Sequence, residues 1–252
     1  MKKMIFASDL DNTLIHSYKH RRDNDICIEL LKGEEQGFMS RRVYDCLSAL
    51  PDNIELVPLT TRSVEQFERI KLPAGCFRKA ITTNGALLFA DGVRNEDWRR
   101  EQIRFADELM PLMKSLYSEL KGDPKLNVVR IVDDMYLYIS CSDSSYVGEF
   151  MDRYSSVSEL DVMASGRKIY FLPPSINKGS ALQRLAEREE HHIFTVAAGD
   201  STIDLPMLEY ADHAIIPGEL EKLLKNPNRS VYSGDGDFAE FVIDTVLALG
   251  NE

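Results

Sequence analysis

Nowhere in the 252 residues does an apolar run approach the roughly 20 residues that a bilayer-spanning helix requires. The apolar stretch after Met1-Lys2-Lys3 is broken by Asp9, too early for the core of a signal peptide. Cysteine is scarce. Cys27, Cys46, Cys76 and Cys141 lie far apart and form no CxxC pair, which argues against a disulfide framework and against thiolate-bound metal. Reduced thiols in a cytoplasmic protein are the expectation. Basic residues are also in deficit, 30 Lys and Arg against 41 Asp and Glu, for a formal net charge of −11. A chain of that sign offers no broad basic face, so neither nucleic acid nor an anionic membrane is expected as a partner. Any phosphate site here needs local positive charge or a metal ion. Internal repeats and low-complexity segments are absent as well.

What remains is an ordinary globular composition, 44% hydrophobic and 28% charged, long enough for one large α/β domain or a core with an insert. "MIFAS" (Met4 to Ser8) and "IELVPLT" (Ile54 to Thr60) read as buried strands, and "RRVYDCLSAL" as a short helix capped by Ser40. Between them "DICIELLKGEEQGFMS" reads as a hairpin turning near Lys32-Gly33. Ser63 to Gln66 has the form of a capping box opening the helix "VEQFERI". "KAITTNGALLFADG" is two strands around a turn at Asn84-Gly85. A helical segment, "DWRREQIRFADELMPLMKSLYSEL", follows, which Pro111 is expected to kink or divide. Two strands around Asp133-Asp134, a helix near residues 144–154 and two strands flanking Gly166 complete an α-β-β-α-β-β run. Strand–helix alternation then resumes with "KGSALQRLAERE", "IFTVAAGD", "IDLPMLEY", "HAIIP", a short helix near residues 219–224 and a terminal helix "DFAEFVIDTVLAL". The predicted fold is α/β: a Rossmann-like parallel sheet covered by helices, built from residues 1–86 and 169–252, with an inserted α+β cap over 87–168.

The opening stretch poses the chemical question. Asp9 and Asp11 end a strand with one residue between them, so both carboxylates point the same way and repel unless a cation or proton intervenes. In an open parallel sheet the ligand site lies beyond the carboxyl ends of the strands. Thr60-Thr61-Arg62 ends a second strand, Asp200 a third with Asp204 one turn on, and Lys178 opens the helix before that strand. Carboxylates, hydroxyls and one ammonium converging on a crevice suit phosphoryl transfer assisted by Mg²⁺, a hard cation that prefers oxygen ligands. An ionised Asp9 can attack phosphorus. Asp11 can exchange protons with the leaving oxygen and with water, while Lys178 and Thr60 stabilise charge on the transferring group.

In order, "DLDNT", "LTTRS", "NKGSAL" and "GDSTIDLPML" resemble the four motifs of the haloacid dehalogenase (HAD) superfamily of phosphohydrolases. "ITTNGALLF", the long insert and "KIYFLPPSINKGSAL" are similar to the branch with a type C2 cap, which includes Cof-like, sucrose-phosphate, trehalose-phosphate and mannosyl-3-phosphoglycerate phosphatases. The resemblance implies Asp9 as nucleophile and Mg²⁺ ligand, and Asp11 as acid/base with its main-chain carbonyl on the metal. It implies Thr60 and Lys178 as the hydroxyl and lysine of the second and third motifs, with Asp200 and Asp204 completing the metal ligands. The sequence departs from the family pattern at Ile203, where Asn is common.

Asn84, Arg167 and Lys168 are the candidate substrate contacts outside the motifs. Thr13 reads either as a ligand contact or as a bond to its own loop. Arg62 is read as a surface or structural residue at a helix start, and the five histidines as surface or structural. The leading expectation is a Mg²⁺-dependent phosphatase of a small phosphorylated metabolite, a sugar phosphate, acting through an aspartyl-phosphate. A phosphomutase of the same superfamily and a catalytically silent metal- or phosphate-binding protein are the alternatives.

Overall fold

The structure is a computed structural model that describes residues 3–189 and 191–251. Met1, Lys2, Glu190 and Glu252, expected in the core, lie outside the described residues. Five strands form a parallel sheet in the order Arg229–Tyr232, His213–Pro217, Phe194–Ala198, Met4–Ser8, Ile54–Pro58. Met4–Ser8 is buried along its whole length, with Phe6 in register with Val196 on one side and Leu56 on the other. That is why it reads as a continuous apolar run: a strand covered on both faces has no polar side to show. Alternate residues feed two cores. Met4 and Phe6 pack with Val43 and Leu47 of the Arg41–Ser48 helix and with Val242 and Val246 of Phe238–Gly250. Ile5 and Ala7 pack with Leu182 and Leu185 of the Lys178–Ala186 helix and with Met207 and Leu208 of Leu205–Tyr210. These last two helices approach closely because residue 179 is glycine: a Cβ there would stand 2.4 Å from the Pro206 carbonyl oxygen.

The second large sheet is antiparallel, in the order Asp161–Ser165, Lys168–Leu172, Tyr136–Cys141, Leu126–Val132. Its strands alternate. Leu137, Ile139, Ile169 and Phe171 turn to one face and pack with Ala106, Met113, Leu116 and Phe150, contributed by the helices Glu96–Leu120 and Tyr146–Tyr154. The opposite face carries tyrosines and bases. A parallel core of helix-covered strands with an inserted antiparallel cap region is the architecture expected from the sequence. Two small sheets complete the fold: the hairpin Ile26–Leu31 and Glu34–Met39 with His16–Ser17, and Lys79–Thr82 with Leu87–Ala90 and Val93–Arg94.

Several local expectations change. Pro111 does not divide its helix, which runs unbroken for 25 residues as Glu96–Leu120. The proline sits on the exposed face, as does Asp107 one turn earlier, so the carbonyl it leaves unpaired can meet water. The fifth core strand, Arg229–Tyr232, has no counterpart in the sequence reading. It is a four-residue edge strand, half-buried throughout, and lacks the apolar run that marks its neighbours. The short helix near residues 219–224 is a single 3₁₀ turn, Gly218–Leu220. Both caps form as expected: Ser40 Oγ accepts from the Val43 amide, and Ser63 and Gln66 make a reciprocal capping box. The four cysteines are free thiols. Among the described residues no helix is long and apolar enough to cross a membrane.

Candidate active site

Asp9 follows directly on the Met4–Ser8 strand, its amide donating to the Ala198 carbonyl at 2.9 Å. Beyond the carboxyl ends of these two strands the sequence-predicted residues converge. Lys178, fully buried at the start of its helix, donates to Asp9 Oδ1 at 2.6 Å and to Asp204 Oδ1 at 2.5 Å. The other Asp204 oxygen accepts from the Asp200 and Ser201 amides and from Ser201 Oγ, at 3.0–3.2 Å. Asp204 therefore fastens the loop that presents Asp200 and also fixes the lysine. The loop must be tight to do so: a Cβ on Gly199 would lie 2.5 Å from Asp204 Cβ, so only glycine fits.

Carboxylate oxygens of Asp9, Asp200 and Asp204 lie within 4.8 Å of one another. Burial pushes Asp9 well above its ordinary carboxylate value, against the pull of Lys178 and with the push of Asp204 and Asp200. Burial likewise raises Asp200 to about 6, with the Asp204 charge adding to it and Lys178 and an Asn12 hydrogen bond opposing it. Lys178 is raised in turn: burial works against its charge, but the carboxylates of Asp204 and Asp9 outweigh that. One ammonium does not neutralise three carboxylates. The excess negative charge and the all-oxygen donor set fit a hard divalent cation, and Asp9, Asp200 and Asp204 form a site of that kind. Both Asp204 oxygens are already engaged, so Asp9 and Asp200 are its more available ligands.

Asp11 lies on the other side of Asp9 in a different setting. Arg62 grips it with two hydrogen bonds, Nε to Oδ2 and NH2 to Oδ1, each 2.8 Å. Burial alone would raise the Asp11 carboxyl; the charge and hydrogen bonds of Arg62 more than reverse this and hold it below its ordinary value. Arg62 is itself steadied by Glu29, buried on the Ile26–Leu31 strand, through a 2.9 Å bond, and Arg69 reaches the same Glu29 oxygen at 3.1 Å. Arg62 thus belongs to the site and is no surface residue. The helix-start position suggested a structural role because nothing local to "TTRS" points to Asp11, which is 51 residues away.

Thr60 is fully buried in the turn after Ile54–Pro58, its Oγ1 accepting from the Arg62 amide at 3.2 Å. Thr13 is buried nearby, and its hydroxyl has no partner among the described residues, so it does not bond its own loop. Ile203, the departure from the family pattern, is buried in the apolar cluster of the antiparallel sheet. Of the three substrate candidates only Lys168 lines a cleft with Asp11. Asn84 is fully buried and donates to the Ile176 carbonyl at 3.1 Å. Arg167 is exposed in the turn just before the Lys168–Leu172 strand and donates to the Ser142 carbonyl at 3.0 Å.

That cleft, of about 270 Å³, lies between the two large sheets and is lined by Asp11, Thr61 and Arg62 from the core and by Arg130, Tyr138 and Tyr170 from the antiparallel sheet. The sheet residues were legible in principle. "MYLYIS" alternates tyrosine with aliphatic residues, the mark of a strand with one polar-aromatic face.

Comparison with known proteins accords with this geometry. Residues 130–232 match the model of a haloacid dehalogenase-like hydrolase family. Over that stretch the chain is similar to the haloacid dehalogenase-like hydrolases. The expectation of a phosphohydrolase of this superfamily is borne out at that level. Among solved structures the chain is similar to a sucrose-phosphatase from Synechocystis in complex with sucrose and phosphate, at 17% identity and a TM-score of 0.64, covering 100% of this chain and 99% of that one. It is similar to the C-terminal domain of a trehalose-6-phosphate phosphatase from C. albicans, at 17% identity and TM-score 0.59, covering 99% and 92%. A haloacid dehalogenase-like hydrolase from B. subtilis matches at 19% identity and TM-score 0.56, covering 96% and 99%. No curated protein matches the chain.

Proposed function

We propose that this hydrolase is a Mg²⁺-dependent phosphatase of a small phosphorylated metabolite, of the sugar-phosphate kind, working in the cytoplasm through an aspartyl-phosphate on Asp9. The observation that carries this reading is the buried Lys178 held between Asp9 and Asp204, with Asp200 beside them. A carboxylate beside a fixed positive charge supports this reading, because in-line attack on a phosphate ester needs a nucleophile and a group that stabilises the transferring phosphoryl.

Asp9 and Asp200, with the Asp11 main-chain carbonyl, would hold the metal, which supplies neutralisation of the carboxylates and of the phosphoryl oxygens. Asp204 keeps Lys178 and the 199–201 loop in place. A carboxylate oxygen of Asp9 attacks phosphorus and the bond to the leaving oxygen breaks, with Lys178 and the Thr60 hydroxyl stabilising the charge that develops. Asp11 gives a proton to the leaving oxygen. Water then attacks the phosphoryl group and passes its proton to Asp11, releasing phosphate and restoring Asp9. Gripped by Arg62, Asp11 is held below its ordinary carboxyl value, so the proton it gives is first taken up from solvent or from the bound phosphate monoester. An incoming substrate anion that draws on Arg62 shifts Asp11 toward the proton-donating form.

The antiparallel sheet is assigned as the cap that selects the leaving group. Its moving body extends from within the Glu96–Leu120 helix to Leu172, because the Lys168–Leu172 strand pairs wholly in the cap sheet and Leu88 and Trp98 pack in the core. Phosphate release from a sugar-phosphate panel with Mg²⁺ tests the function. Asp9→Asn is expected to lower turnover by at least ~10³-fold without unfolding the chain. Asp11→Asn should cost ~10²–10⁴-fold on a sugar phosphate and less on p-nitrophenyl phosphate, whose leaving group needs little protonation. If Asp9→Asn keeps more than about a tenth of the activity, the covalent assignment fails.

A further inference from the structure

The cap face that closes the cleft is built from one register of three strands. Tyr138 is paired with Arg130 on one side and Tyr170 on the other, so all three share a face. Tyr136 and Lys168, each two residues from a tyrosine of that row, point the same way. The rings of Tyr138 and Tyr170 lie 5.4 Å apart, those of Tyr136 and Tyr170 6.2 Å apart, and the Arg130 guanidinium sits 5.4 Å from the Tyr138 ring centre.

The charges facing this cleft do not cancel. Four cations line it: Arg62, Arg69, Arg130 and Lys168. Its two carboxylates, Asp11 and Glu29, are both taken up by Arg62 and Arg69. Arg130 and Lys168 have no carboxylate partner among the described residues. Arg130 gives one guanidinium hydrogen bond to Gln66 Oε1 at 2.9 Å, while its Nε is buried without a partner. Lys168 feels the Asp11 charge without an ion pair to it, so on a chain with a net charge of −11 two cations on a cleft wall that lack a paired carboxylate are conspicuous. A neutral sugar would leave them uncompensated beside tyrosines that otherwise suit a sugar-sized body. The cleft of about 270 Å³ is also below the roughly 300–1,000 Å³ of pockets that take larger ligands.

We infer that the leaving group carries a second anionic group, a carboxylate or another phosphoryl, held by Arg130 and Lys168 against the Tyr138–Tyr170 wall. The substrate class is thus a compact phosphorylated acid or bisphosphate, in preference to a neutral sugar phosphate. This rests on the proposed phosphatase reading for where the reacting phosphate sits, with the second anion on the cap side. Arg130 and Lys168 act as specificity residues: they contact the leaving group and take no part in the bond changes.

Calorimetric binding to full-length Asp9→Asn protein with Mg²⁺ tests this without turnover. Two matched pairs serve as probes: 6-phosphogluconate against glucose 6-phosphate, and fructose 1,6-bisphosphate against fructose 6-phosphate. The acidic member of at least one pair should bind about 10-fold or more tightly, as expected for charge-assisted hydrogen bonds. Which pair shows the difference tells a carboxylate from a phosphoryl group. Adding Arg130→Gln or, separately, Lys168→Gln should collapse that ratio to within about 3-fold, since each removes a full charge from the contact. Equal binding within both pairs, a ratio that survives both substitutions, or no binding of any probe overturns the inference. Absence of phosphate release by the wild-type chain would instead sink the phosphatase reading, and the binding ratios would still decide this one.

Discussion

The two large sheets use opposite rules to place functional groups. In the parallel core both faces of the strands are spent on packing, so chemistry can appear only where the strands stop. Asp9 follows directly on one strand, Asp200 follows another with only Gly199 between, and Lys178 opens a helix that packs on that sheet. In the antiparallel cap only one face is spent, and the other is free along its whole length to carry Arg130, Tyr138, Lys168 and Tyr170. Strand ends give a few positions, fixed closely by the backbone; a strand face gives a row of them in register. Groups at strand ends are thus tied to the backbone of the core, while groups on a strand face are not.

Three interventions break or sharpen that contrast. The largest effect falls on the core. Lys178→Met leaves Asp9 and Asp204 buried without their cation, and should cost about 3–5 kcal/mol of stability as well as most of the turnover. A urea midpoint within error of wild type would show that the ammonium is not what holds these carboxylates.

The second concerns the carboxylate cluster. Folding raises Asp9 and Asp200, the latter to about 6, so the folded state binds more protons than the unfolded chain over this range. By linkage the ion-free protein loses stability as pH climbs from the ordinary carboxylate range through about 6. A divalent cation competes with those protons and removes the penalty. The rise in Tm on adding Mg²⁺ should therefore be larger at pH 7 than at pH 5, by a few degrees for a chain of this size. A Mg²⁺ effect that is equal at both values would exclude these groups as the ligands.

The smallest effect belongs to the seam between the sheets. Tyr136 donates its hydroxyl to the Thr61 carbonyl at 2.7 Å, one of a few polar links from cap to core. Tyr136→Phe removes a single hydrogen bond, worth about 1 kcal/mol, and kcat/KM for the preferred substrate should fall by less than about 10-fold. A loss as large as that from Asp11→Asn would mean that the cap contact takes part in the chemistry.

The same contrast explains what could be read from the sequence. Strand-end residues sit in short contiguous motifs, so Asp9, Asp11, Thr60, Lys178, Asp200 and Asp204 were nameable from four peptides. The core strands were legible because they are unbroken apolar runs. The Arg62–Asp11 grip and its support from Glu29 were not, since these residues come from three separate segments and no local pattern joins them. Arg229–Tyr232 was missed for an allied reason: an edge strand is defined by its neighbour more than by its own composition. Lys168 was singled out and Arg130 was not, although cross-strand register puts both on one face.

The long helix has a mechanical consequence. Near its start Trp98 is fully buried in the core, its indole donating to the Gly85 carbonyl at 3.1 Å and its ring faced by Arg184 and Arg188. Further along, Ala106, Met113, Leu116 and Leu120 belong to the cap. One rigid rod is thus clamped in one body and carries the other, like a lever with its fulcrum at Trp98. At 1.5 Å per residue the stretch from Trp98 to Leu120 makes an arm of about 33 Å, so a turn of about 10° at the clamp sweeps the far end by about 6 Å.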